Sequence, residues 1–158
     1  MPIVLCDISL SNSAMKTSLP IRREARALAL QTLFEVDCTH HNPMESLARL
    51  TEDSSLPDET INFIRELVLK VQENGGAIDA LIQRFAPAWP LQQLSIVDRN
   101  ILRLAIYELI SEITPAKVAI NEAVELAKVF GSDSSPKFIN GVLGSVYADL
   151  VNQKQKTK

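Results

Sequence analysis

SIVDRNILRLAIYELI, residues 95–110, is the stretch that decides the fold. Ile96, Val97, Ile101, Leu102, Leu104, Ala105, Ile106, Leu109 and Ile110 leave almost no polar face. A helix that is apolar nearly all round must be buried on several sides by other elements. Ser95 with Asp98 three residues on has the form of an N-terminal capping pair. Arg99, Arg103 and Tyr107 step by four and are expected to make one narrow exposed stripe.

Working outward toward the C-terminus, Thr114-Pro115 reads as the cap and first turn of a further helix. Ala119, Ile120, Ala123, Val124, Ala127 and Phe130 form its apolar side, and Gly131 ends it. Ser135-Pro136 then opens the last helix, with Ile139, Val142, Leu143, Val146 and Leu150 inward. Gly141 and Gly144 inside that helix each cost about 1 kcal/mol against alanine. Close approach of a neighbouring helix would account for them.

Toward the N-terminus, Ala77–Phe85 reads as a short helix stopped by Pro87 and Pro90. A longer one precedes it, capped by Ser55 with Pro57 and Asp58 in its first turn, and stopped by Gly75-Gly76. Another short helix covers Met44–Leu50. The first helix starts at Ile21, with Ala25, Leu28, Ala29, Thr32, Leu33 and Val36 on one side. Arg22, Arg23 and Arg26 fall off that stripe in the first two turns. Cations there oppose the helix dipole, so they hint at a separate use, against the competing reading of a solvated face. Residues 1–20 show no period and read as a loose extension, with Met15 a candidate natural start. Residues 21–152 read as one helical domain and residues 153–158 as a basic tail forming a natural terminus. The expected fold is all-α, a single-domain bundle of about seven helices.

Composition agrees. The chain has 158 residues, 46% of them apolar and 22% charged, the balance of a globular core rather than of disorder. Its formal net charge of −3 is unlike that of a generic nucleic-acid binder, so any such site must be local. Cys6 and Cys38 read as unpaired cytosolic thiols. No apolar run is long enough to span a bilayer, and the first residues lack the pattern of a signal peptide, so the expected location is cytoplasmic.

No catalytic constellation emerges, and no cofactor or metal is implied. Asp37, Cys38, His40 and His41 are the one dense group of ligand types, but no second cluster follows, as a zinc site would need. Gly141 and Gly144 lie in a helical pattern rather than in a phosphate-binding loop. Glu122 and Glu125, beside Asn121 and Lys128, read as surface charge.

Several segments are specific when taken together and in order. Arg22-Arg23-Glu24-Ala25-Arg26 and Gln31-Thr32-Leu33-Phe34 open the series. Ile101–Leu109 follows, then Pro115–Lys128, Phe130-Gly131 and Lys137–Leu143. Over residues 21 to about 150 the chain resembles the NusB family of bacterial transcription antitermination factors. The resemblance implies an all-helical, non-enzymatic protein. It implies pairing with ribosomal protein S10 (NusE) and binding of boxA RNA in nascent ribosomal transcripts, within the RNA polymerase antitermination complex. It places RNA contacts on Arg22, Arg23 and Arg26. Glu24, where some members carry a further arginine, is a departure expected to weaken RNA affinity. Phe34, Phe85, Lys137 and Phe138 match positions near the RNA path, where aromatic faces stack on bases. For the aromatics, core packing is the competing reading. Asp98, with Arg99 nearby, is the implied S10 contact, and a simple capping role is compatible with it. The alternative function is an assembly or interaction protein of the same fold without RNA contact, possibly a homodimer. A third reading is the helical N-terminal domain of a ribosomal RNA methyltransferase, and the lysine-rich end, read as a natural terminus, makes a following catalytic domain unexpected.

Overall fold

The computed structural model describes residues 19–157. Cys6, Met15 and most of the head segment read from the sequence lie outside them, as does Lys158. The elements are α1 (Leu19–Thr39), α2 (Pro43–Thr51), α3 (Asp58–Glu73), α4 (Gly75–Phe85), a short 3₁₀ turn (Leu91–Gln93), α5 (Ile96–Ser111), α6 (Ala116–Phe130) and α7 (Ser135–Lys156). The seven α-helices and the absence of strands among the described residues match the expected class. The chain divides within α3, between Leu69 and Lys70, into two compact units.

In the first unit α1 packs on α2. Ala25, Leu28, Ala29, Thr32 and Leu33 are buried, as their spacing predicts. Burial goes further than one stripe, because every residue from Glu24 to Leu30 is buried. Glu35 ties the two helices together. Its Oε2 accepts from Ser46 Oγ at 2.6 Å, its Oε1 accepts from Arg49 Nη1 at 3.0 Å, and Arg49 Nη2 completes a forked ion pair. These donors hold the Glu35 carboxyl below its ordinary range, the hydrogen bond from Arg49 acting most strongly. After α1, His40 adopts a left-handed φ of 60° and its N–H donates to the Val36 carbonyl at 2.8 Å. Asn42 then caps α2, its Oδ1 accepting from the N–H groups of Met44 and Glu45, with Pro43 in the first turn.

Two helix ends differ from the sequence reading. The helix α3 begins at Asp58, and the Pro57 carbonyl accepts from Thr60 and Ile61, so Ser55 stands too far upstream to cap it. Gly75 and Gly76 do not stop α3 but open α4. Neither has a positive φ, the conformation that makes glycine a helix stop. Asn74 closes α3 instead, its Nδ2 donating to the Lys70 carbonyl at 2.7 Å.

In the second unit α5 packs against α4, α6 and α7. Ile101, Leu102, Leu104, Ala105, Ile106 and Leu109 are buried, as a helix apolar nearly all round requires, whereas Ile110 at its end is exposed. Ser95 Oγ accepts from the Asp98 N–H at 3.0 Å, the expected cap. The stripe Arg99–Arg103–Tyr107 is half-buried rather than open. Arg103 forks onto Asp79 of α4, Nε to Oδ1 at 2.8 Å and Nη2 to Oδ2 at 3.0 Å, and its Nη1 donates to Asn100 Oδ1 at 3.2 Å.

Three further expectations are corrected here. Thr114 does not cap α6. Its hydroxyl donates at 2.7 Å to Oε1 of Glu108, a carboxylate buried on α5 that needs a donor once removed from water. Glu122 is not surface charge but is buried, because it shares a helix face with Ala119 three residues before it and Leu126 four after it. Gly141 and Gly144 are exposed, and a Cβ at either would meet nothing within 4 Å, so no close helix contact explains them. Gly131 is different. A Cβ there would stand 2.6 Å from Ser135 Cβ and Oγ and 2.9 Å from the Ala127 carbonyl oxygen, so the tight passage from α6 into α7 excludes a side chain. The last helix runs through Lys156, into the segment read as a tail.

Candidate nucleic-acid interface

On α1 the cationic group expected near the helix start is split by burial. Arg23 is exposed. Arg22 is half-buried and lays its guanidinium over the Phe63 ring of α3, 4.5 Å from the centroid. Arg26, expected beside them on the open side, is only 2% exposed. The cause is the enclosure of residues 24–30, for a residue off one apolar stripe can still be covered from another side. Glu24 is also enclosed, 7% exposed, and burial pushes its carboxyl up to about 7.

Phe34 is 39% exposed, so it is not a core residue. Eleven residues separate it from Arg23, close to three full turns, so the two point to the same side of α1 about 16 Å apart. Ala27 and Leu30, on that side between them, are buried. The helix therefore offers two separate contact points rather than one continuous basic-aromatic stripe.

In the second unit Phe85 is half-buried at the end of α4, with the Arg84 guanidinium 4.8 Å from its ring centroid. Arg84 also pairs with Asp149 of α7 at 3.3 Å. Lys137 is exposed and Phe138 half-buried in the first turn of α7. Asp149, where Arg84 attaches, lies eleven residues beyond Phe138, about 16 Å along the helix. Asp98 and Arg99 are both half-buried at the start of α5. The negative charge of Asp98 suits a helix N-terminus, and Arg99 Nη1 donates to the Leu91 carbonyl at 3.2 Å.

Sequence reading missed the partners of these residues. Phe63 carries no local signal of its meeting with Arg22, because the two are brought together by packing. The neighbouring Arg84-Phe85 pair was visible in the sequence. Trp89, 54% exposed between two prolines, was also visible and not singled out. Among the described residues, no group of three or more His, Cys, Asp or Glu side chains is placed to hold a metal ion. No described helix is long and apolar enough to cross a membrane.

The described residues form an all-helical protein in which cations stand near aromatic rings at the start of α1, the end of α4 and the first turn of α7. A family model described as the NusB family matches residues 23–148. The transcription antitermination protein NusB of Dehalococcoides mccartyi (strain CBDB1) is 50% identical over 139 residues, covering 85% of this chain and 97% of that protein. The same-named protein of Roseiflexus sp. (strain RS-1) is 49% identical over 129 residues, covering 80% and 91%. Among solved structures, T. maritima NusB superposes with a TM-score of 0.76 at 36% identity, covering 80% of this chain and 90% of that one. A structure of antitermination factors NusB and NusE in complex with double-stranded RNA gives 0.75 at 25% identity, covering 84% and 99%. The chain belongs to the NusB family.

Proposed function

We propose that this chain is a cytoplasmic, non-enzymatic antitermination factor that binds boxA RNA together with S10 (NusE) and so supports processive transcription of ribosomal RNA. The observation that carries the reading is that one helix of a chain whose net charge is −3 carries both the exposed Arg23, beside Arg22, and the exposed Phe34. The cations are local, as an RNA site on an acidic protein requires. The kinship with NusB proteins, one of them solved with NusE and RNA, supports the same reading.

In this scheme Arg23 contacts phosphate, Arg22 adds its positive charge from a plane stacked on Phe63, and Phe34 stacks on a base. On the second unit, taken by itself, Phe85, Lys137 and Phe138 supply RNA contacts of their own. Arg26, being buried, acts by fixing α1 rather than by touching phosphate. Asp98 and Arg99 face S10.

The test is titration of labelled boxA RNA across a salt series, with and without S10. Double replacement of Arg22 and Arg23 by alanine is expected to weaken binding about tenfold or more. It should also flatten the log–log salt slope by roughly 1.4, at about 0.7 per lost single-strand phosphate contact. Unchanged affinity and slope would remove these arginines from the interface. No RNA binding even with S10 present would instead favour an assembly protein of the same fold.

A further inference from the structure

We propose that Trp89 is the aromatic anchor by which this chain docks S10. The proposal rests on the reading, given above, that S10 is a partner and that Asp98 and Arg99 face it.

Trp89 is the one tryptophan of the chain and is 54% exposed. An indole offers a large, rigid apolar face with a polar N–H, and tryptophan is among the residues most enriched at the energetic centres of interfaces. Its loop is not slack. Gln83 of α4 grips it from both sides, Nε2 donating to the Trp89 carbonyl at 2.9 Å and Oε1 accepting from the Leu91 N–H at 2.9 Å. The Trp89 N–H donates to the Ala86 carbonyl at 3.3 Å, and the Gln93 N–H to the Pro90 carbonyl at 2.8 Å. Pro87 and Pro90 flank the indole and restrict the chain further. A side chain displayed on a backbone already fixed loses little entropy when a partner covers it.

Two observations direct this anchor toward a protein rather than toward RNA. The first is continuity. Arg99 Nη1 donates to the Leu91 carbonyl at 3.2 Å, which straps the Trp89 loop to the start of α5, where Asp98 and Arg99 lie. The second is charge. Residues 86–98 contain no lysine or arginine and one acid, Asp98, whereas RNA affinity is built on phosphate contacts to cations. The nearest arginines on either side of the segment, Arg84 and Arg99, are engaged with Asp149 and the Leu91 carbonyl.

A single tryptophan makes the test direct. Emission of the full chain is recorded with and without saturating S10, subtracting the signal of the Trp89→Phe chain under the same conditions. Burial at the interface is expected to move the emission to shorter wavelength and protect it from acrylamide. Calorimetric titration with S10 is expected to show Trp89→Ala binding at least about 30-fold more weakly, or 2 kcal/mol at 1.4 kcal/mol per decade. Trp89→Phe should recover part of the loss. If the unaltered chain binds S10 while the emission stays unshifted and Trp89→Ala binds as tightly, the anchor is refuted and the S10 reading stands. If the unaltered chain does not bind S10, that reading fails and the anchor with it. An emission shift produced by boxA RNA alone would place the indole on RNA bases and overturn the proposal.

Discussion

Replacing Glu24 by glutamine tests whether an acid in the first helix is held neutral by burial. Glu24 is 7% exposed, and burial raises its carboxyl from the ordinary 4.5 to about 7. Between those two values the folded chain keeps the proton and the unfolded chain releases it, so folding takes up a proton and stability falls as pH rises. The slope is about 1.4 kcal/mol per pH unit, so the interval from 4.5 to about 7 amounts to roughly 3 kcal/mol at most. Glutamine keeps the shape and abolishes the titration. Urea unfolding followed by circular dichroism at pH 5, 6, 7 and 8 should show the Glu24→Gln chain gaining on the parent as pH rises. The gain should level off above pH 8 at up to about 3 kcal/mol, and groups common to both chains cancel in the difference. Two stability curves that run parallel from pH 5 to 8 would refute the reasoning, since Glu24 would then ionise alike in both states. The same protonation limits how far Glu24 opposes the arginines beside it, because near pH 7 it carries only about half its charge.

Two further predictions concern the second unit. Gly131→Ala forces a Cβ against Ser135 and the Ala127 carbonyl and should destabilise the chain by about 1–3 kcal/mol in chemical denaturation, against no loss if the α6–α7 passage can widen. Asp79→Ala leaves the half-buried Arg103 fork without its carboxylate and should cost about 1–2 kcal/mol, and a change below about 0.5 would mean that water replaces the carboxylate at no cost.

The fold was legible where periodicity was strong. Residues 95–110 announced a helix buried on several sides, and Ser95 announced its start, because both signals are local. The junction of α3 and α4 was not legible, for a Gly-Gly pair serves as a stop only if one residue turns left-handed, whereas the end of α4 at Phe85 fell where Pro87 and Pro90 put it. Glu122 read as surface by residue type, although its spacing from Ala119 and Leu126 already put it on a core face. The candidate RNA site was legible as residue types, through the arginines and Phe34. It was not legible as a surface, because the enclosure of Arg26, Ala27 and Leu30 depends on what packs over α1. The stacking of Arg22 on Phe63 joins residues 41 positions apart and leaves no trace in either local sequence.

The covered interval between Arg23 and Phe34 has a kinetic consequence for the proposed RNA complex. A strand held at two points about 16 Å apart, with no grip between them, leaves in two steps. When one contact opens, the other keeps the loose end at a high local concentration, and recapture competes with escape. Residence time then depends on the product of two weak holds, so loss of either one should shorten it far more than its own small energy suggests.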